Sequence, residues 1–235
     1  MKQNKWAQFD PQVYLANNYR RLHEEDRMII KILADFYRKI PKLQLTCEVG
    51  VGPNLYPIIA LLPISKKVVA IDYSLKNIAY LTSQKKQVDT FWGPYLNLFQ
   101  KESKQYKIDL LQNLKKKLVI EMGCVYTLPK GVYDLSSMHF CAESITDDKK
   151  KFYDACLRFM VSVKRGGYLA ASFMENSGGY RVGGVSYPAY PVNRHILEQV
   201  FTPFVKKLEI HRIPKAKNAL RKGYTGMLVL TARRK

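Results

Sequence analysis

The chain has 235 residues, enough for one domain with a full core and short for two, and its 47% hydrophobic and 12% aromatic content excludes a disordered polymer. No apolar run approaches the roughly 18 residues of a membrane-spanning helix, and the opening MKQNKWAQFDP carries no signal-peptide core, so a cytoplasmic protein is expected, with Cys47, Cys124, Cys141 and Cys156 as reduced thiols. The net charge of +20 invites a polyanionic partner, but the lysines are scattered and only the last thirty residues are strongly biased, so charge alone selects no function.

In chain order, the spacing of Leu22, Met28, Ile29, Ile32, Leu33 and Phe36 predicts a helix within residues 12–40, stopped by Pro41. KLQLTCEV reads as a first strand and PNLYPIIALL as a helix with a start distorted by Pro57. KKVVAIDYS is a second strand, followed by the helix SLKNIAYLTSQKK with Ser74 as its cap. VDTFWGPYLNLFQ, broken by Gly93-Pro94, reads as an irregular insertion. Then come the helix YKIDLLQNLKKK, a third strand LVIEM, a fourth strand YDLSSMHF and the helix DDKKKFYDACLRFMVSV. Arg165-Gly166-Gly167 turns into a fifth strand, YLAASFM, and a Gly-rich loop over residues 175–191 leads to a helix over 193–201. Strands over 205–210 and 226–234 close the chain.

Strands alternating with helices imply a doubly wound α/β fold with a parallel sheet, and two consecutive final strands imply one antiparallel member. Seven strands are counted, preceded by an N-terminal helical lid over residues 1–40, with the α/β core over 43–235 and no linker to divide residues 1–235 into more than one domain. His23, His139, His195 and His211 are dispersed, so no metal site is visible.

In such sheets, ligands gather where the first strand meets its helix. There stands CEVGVGPNLYP, in which Glu48 is followed by Gly50 and Gly52, while Asp72 ends the second strand twenty positions after Gly52. Glycine admits positive φ and close approach of a ligand to the backbone, and the helix start beyond it favours an anion. A dinucleotide fingerprint wants a third glycine where Leu55 stands, and no Gly-Lys-Ser/Thr follows for a P-loop. The E-x-G-x-G turn with a later aspartate instead suits S-adenosylmethionine, whose methionine end is a zwitterion and whose ribose offers a diol.

FDPQVYLANNYR, EVGVGPNLYPII and IDYSLKNIAYL together resemble the nicotinamide and phenylethanolamine N-methyltransferase family, and CAESIT and FMENSGGYRVGGVSYPAYPV are similar to a bacterial branch of it. The resemblance runs from about Phe9 onward. It implies a Rossmann-like methyltransferase sheet of seven strands, S-adenosylmethionine as methyl donor, S-adenosylhomocysteine as product, and no metal. It places Tyr14 and Tyr19 against the cofactor from the lid, Gly50 and Gly52 with Glu48 at its methionine part, Tyr56 nearby, and Asp72, Tyr73 and Asn77 around the ribose. Two positions depart from the family. Cys124 stands where an acid often holds the adenine, so backbone at Gly123 and Cys124 is the expected substitute, and Phe173 stands where the animal amine methyltransferases carry a carboxylate.

On the acceptor side, His139, Glu143 and Glu175 are the expected catalytic group, since a buried carboxylate there would orient an amine or take its proton. Trp92, Tyr180 and Tyr187 are the expected substrate-binding aromatics. The reading is a small-molecule methyltransferase, with nitrogen the expected atom, in bacterial specialised metabolism. An RNA methyltransferase, supported by the charge but lacking an N/D-P-P-Y-like motif where HFCAES stands, and a non-catalytic cofactor-binding module remain the alternatives.

Overall fold

The computed structural model describes residues 5–216 and 223–235. In chain order its strands are β1 (Leu43–Val49), β2 (Ser65–Asp72), β3 (Leu118–Met122), β4 (Tyr133–His139), β5 (Val163–Glu175), β6 (Tyr180–Val182), β7 (Val185–Tyr187), β8 (Val205–Pro214) and β9 (Gly226–Arg234). Seven of them form one sheet in the order β3-β2-β1-β4-β5-β9-β8, while β6 and β7 make a separate hairpin. β1 to β5 pair in parallel, and β9 runs antiparallel between β5 and β8. The order reverses between β1 and β4, which is where an open α/β sheet has its ligand crevice.

Alternating residues feed two layers, as the two-residue period of a strand requires. Val68 and Ala70 of β2, with Met227 and Val229 of β9, join one core; Val69 and Ile71, with Leu228 and Leu230, join the other. The first layer holds α2 (Glu24–Arg38), α3 (Tyr56–Leu61), α4 (Leu75–Gln84), α5 (Gly93–Glu102) and α6 (Leu110–Lys117), after a short α1 (Pro11–Asn18). The second holds α7 (Lys149–Ser162) and α8 (Arg194–Phe201).

Five local expectations are corrected. The helix anticipated within residues 12–40 is two: Asp10 caps α1 through the Gln12 and Val13 amides, both Tyr19 and Arg20 amides return to the Leu15 carbonyl, and α2 restarts with Glu24, Glu25 and Asp26 in its first turn. The anticipated lid over residues 1–40 divides with it. α2 buries Ile29, Ile30, Leu33, Ala34 and Tyr37 against the sheet layer and belongs to the core, each large apolar side chain contributing about 1.5–3 kcal/mol; of the anticipated lid, the part within residues 5–19 overlies the sheet's ligand end. The supposed irregular insertion contains α5, because Pro94 falls in the helix's first turn, where its missing N–H costs nothing, and Tyr95 and Phe99 then bury one helical turn apart. The Gly-rich loop folds as the β6–β7 hairpin. The helix after β1 starts only at Tyr56, with Pro57 in its first turn and Pro53 outside it.

Candidate active site

β1 ends at Val49, and the chain then turns through Gly50 (φ +62°) and Gly52 (φ +59°). The turn folds back on β2, with the Gly50 and Val51 amides both donating to the Ile71 carbonyl. One residue later Asp72 clamps it. One carboxylate oxygen accepts from the Gly52 amide at 2.7 Å; the other accepts from the Ser74 amide at 2.8 Å and Asn77 Nδ2 at 3.0 Å. Ser74 holds the cap position of α4, but its side chain makes no cap bond there, contrary to expectation, and its amide donates instead to Asp72. Burial pushes the Asp72 carboxyl up from its ordinary value, and these donors pull against that. The Gly123 amide donates to the Asp72 carbonyl, which brings the end of β3 to the same place.

A cavity of about 210 Å³ opens above this frame. Gly50, Gly52, Asp72, Tyr73, Asn77, Gly123 and Cys124 line its floor, and His139 at the end of β4 closes one side. Tyr14 and Tyr19 from α1 and the turn after it, and Tyr180 from β6, line it from above. The cover is a small aromatic core of its own. Tyr187 lies with its ring 5.0 Å from Trp6, 5.6 Å from Phe9 and 5.2 Å from Tyr180, and Phe9 lies 5.2 Å from Tyr14. The Tyr187 hydroxyl donates to the Lys5 carbonyl, tying the hairpin to the N-terminal segment.

The remaining sequence-based candidates lie elsewhere. Glu48 sits behind the wall, fully buried, its carboxyl taking hydrogen bonds from Ser137 Oγ and the His139 amide, and burial pushes it up to about 8 against those bonds. Tyr56 is also one layer back, stacked on Tyr95. Trp92, expected at the substrate, is fully buried and donates its indole N–H to the Tyr80 hydroxyl, an anchor for α5. Tyr187 serves in the cover rather than in the cavity wall.

Glu143 and Glu175 are not brought to the cavity either. Glu143 is fully buried and accepts from the Met174 amide at 3.1 Å, so it ties the segment after β4 to the end of β5. Glu175 accepts from Arg212 Nε at 2.9 Å and Thr225 Oγ1 at 2.7 Å, which tie β5 to β8 and to the start of β9. Of the three expected catalytic side chains, His139 is the one in the wall. The sequence reading missed Trp6, Phe9, Asn54, Tyr126, Phe140, Cys141 and Ile145, which also line the cavity. Trp6 and Phe9 carried a usable signal, two aromatics just ahead of the capped α1. Phe140 carried none, although it adopts a left-handed backbone (φ +57°) directly after β4.

The residues present fit S-adenosylmethionine. Gly52 borders the cavity with no atom within 4 Å of where a Cβ would project, leaving backbone open to a ligand. Asp72 offers a buried carboxylate beside it, and aromatic rings suit a sulfonium. Among the described residues no cluster of histidine, cysteine or carboxylate side chains is arranged to hold a metal.

The sequence model of the NNMT/PNMT/TEMT family matches residues 1–235. Human nicotinamide N-methyltransferase is 23% identical over 210 residues, 82% of this chain and 80% of that protein. Among solved structures, the N-methyltransferase NodS from Bradyrhizobium japonicum WM9, in complex with S-adenosylhomocysteine, superposes with a TM-score of 0.66 at 12% identity, covering 98% of this chain and 99% of that one. The 1,6-didemethyltoxoflavin-N1-methyltransferase of Burkholderia thailandensis, bound to 1,6-didemethyltoxoflavin and S-adenosylhomocysteine, gives a TM-score of 0.57 at 16% identity, covering 96% of this chain and 91% of that one.

Proposed function

The chain belongs to the NNMT/PNMT/TEMT family and is an S-adenosylmethionine-dependent methyltransferase, and from that premise we propose that it methylates a nitrogen of a small molecule in bacterial specialised metabolism, working in the cytoplasm as one domain over residues 1–235. The observation that carries the small-molecule reading is the covered cavity. Its walls come from the ends of β1 to β4 below and from residues 5–19 and the β6–β7 hairpin above, a shape that holds a compact acceptor. Nitrogen is supported by the human relative and by both structural neighbours, each an N-methyltransferase.

In this reading Gly50 and Gly52 receive the methionine part of the cofactor, with Glu48 behind them and Tyr56 beneath. Asp72, Tyr73 and Asn77 receive the ribose, backbone at Gly123 and Cys124 receives the adenine, and Tyr14 and Tyr19 close over it. S-adenosylmethionine supplies an electrophilic methyl on a sulfonium, and the N–C bond forms as the S–C bond breaks, leaving S-adenosylhomocysteine. The protein's share is alignment and exclusion of water. The aromatic cover formed by Trp6, Phe9, Tyr180 and Tyr187 supplies the second, and Tyr180 faces the acceptor.

The test incubates the purified protein with methyl-labelled S-adenosylmethionine and bacterial extract, then separates RNA, protein and small molecules. Label in the small-molecule fraction is expected and supplies the acceptor for identification. Label confined to RNA replaces this reading with an RNA methyltransferase. No label with intact cofactor binding replaces it with a non-catalytic module.

A further inference from the structure

His139 ends β4 with its ring in the cavity wall. Its register partner on the neighbouring strand is Ser172, so the two side chains leave the sheet on one face and Nδ1 meets Ser172 Oγ at 2.8 Å. The His139 amide donates to Glu48 Oε1 at 3.3 Å, which fixes the backbone beneath the ring. Nε2 is buried and has no hydrogen-bond partner among the described residues.

The hydrogens around Ser172 decide which tautomer is present. Ser172 is fully buried, and its hydroxyl makes its hydrogen bond to His139 Nδ1. A hydroxyl has one hydrogen to donate. If Nδ1 carried the imidazole hydrogen, Ser172 would have to accept, and its own hydrogen would be buried without an acceptor among the described residues. If Ser172 donates to Nδ1, that hydroxyl and that nitrogen are both satisfied, and the imidazole hydrogen sits on Nε2, the one polar atom of the pair left without a partner among the described residues. Burial also pushes the imidazole down to about 3, so the ring stays neutral. His139 is then a hydrogen-bond donor at Nε2 and has no lone pair there to take a proton, which removes the general-base role expected for it.

The surrounding charge points the same way. Tyr14, Phe140, Ser144, Ile145 and Tyr180 continue the wall, and none carries a formal charge. The two glutamates that would have met a cationic amine are engaged elsewhere, Glu143 by the Met174 amide and Glu175 by Arg212 and Thr225. A charged acceptor would enter this part of the cavity without a counter-charge.

Resting on the methyltransferase reading, we propose that His139, held in its Nε2–H tautomer by Ser172 as a positioning residue, donates a hydrogen bond from Nε2 to the methyl acceptor, and so selects a neutral molecule that presents an oxygen or nitrogen lone pair there. The methylated atom keeps its own lone pair for the transfer; the hydrogen bond goes to a second atom.

The test is imidazole nitrogen NMR on protein labelled with ¹⁵N-histidine. One ring, absent from the spectra of both His139→Gln and His139→Asn, is expected to stay neutral with its hydrogen on Nε2 from pH 5 to 8. Ser172→Ala is expected to shift that ring towards a mixture of tautomers. An Nδ1–H tautomer or an imidazolium at pH 6 in the unsubstituted protein overturns the proposal with no variant needed. Protein loaded with S-adenosylhomocysteine is then titrated with acetamide, pyridine and benzene. The Nε2–H resonance is expected to move with acetamide or pyridine and not with benzene; no movement with either, or equal movement with benzene, overturns the ligand class. Calorimetry of S-adenosylmethionine binding on the same samples reports separately on the methyltransferase reading.

Discussion

Gly50 and Gly52 share one backbone conformation in one turn but meet different surroundings, so alanine at each separates strain from contact. At Gly50, with φ +62°, an added Cβ would lie 2.2 Å from Cys141 Sγ and 2.8 Å from its Cβ. Left-handed backbone costs an L-residue about 1–2 kcal/mol, and forcing a methyl into a packed site adds about 1–3 kcal/mol. At Gly52, with φ +59°, the strain is the same and no atom lies within 4 Å. Urea unfolding is therefore expected to show a loss of about 2–5 kcal/mol for Gly50→Ala and about 1–2 kcal/mol for Gly52→Ala. In a Cys141→Gly background both contact atoms are gone, so Gly50→Ala is expected to cost the strain alone, a coupling of about 1–3 kcal/mol. Cofactor affinity by calorimetry is expected to fall further for Gly52→Ala than its modest stability loss accounts for, because its methyl enters the cavity. Equal stability losses for the two variants, or no coupling between Gly50 and Cys141, refutes the reasoning.

Asp72→Ala is expected to weaken S-adenosylmethionine binding by about 1.5–3 kcal/mol, measured by calorimetry on the folded variant; unchanged affinity overturns the ribose assignment. Burial pushes Asp26 and Glu48 each up to about 8, so both hold protons in the folded state that the unfolded chain has released above about pH 4.5; their stabilisation is complete below that and lost as pH rises through 8. His139, lowered to about 3, works against this trend up to about pH 6.5, so the fall is steepest from pH 6.5 to 8, up to about 2 kcal/mol per carboxyl by urea unfolding, and equal or greater stability at pH 8 refutes it. Trp6→Ala removes a ring from the cover but none from the sheet core, so the melting temperature is expected to move little while kcat/KM falls at least tenfold; a large melting shift with unchanged kcat/KM contradicts the role of the cover.

The parts of this molecule that were legible in the sequence are those fixed by local chemistry. The two glycines after β1 and the acid ending β2 were readable because positive φ and a strand-end carboxylate each demand a particular residue type. The sheet was readable because its strands are short apolar runs punctuated by helices. What failed depended on partners distant in sequence. Pro94 looks like a breaker until its place in the first turn of α5 is known, and that start is anchored by Trp92 reaching Tyr80. Glu175 stands at the end of β5 as a catalytic acid would, but Arg212 and Thr225, dozens of residues away, claim it. The aromatics of residues 6–14 and 180–187 gave no sign that they pack on each other, since nothing local couples two segments so far apart.

The net charge of +20 bears on the acceptor through where it is absent. No lysine or arginine lines the cavity among the described residues, and Asp72 is its one carboxylate. A polyanion would be held by basic side chains converging on the reactive end of the sheet. Lys5 and Lys151 border a second cleft outside the cover, together with Asp147. Several other basic side chains are spent on structure, Lys85 on the Leu118 carbonyl, Lys117 on the Leu62 carbonyl and Arg233 on the Gly166 carbonyl and the Tyr168 ring. The cavity wall is thus free of basic side chains among the described residues, and in the proposed reading acceptor choice falls to uncharged groups, the aromatic cover and the Nε2–H of His139.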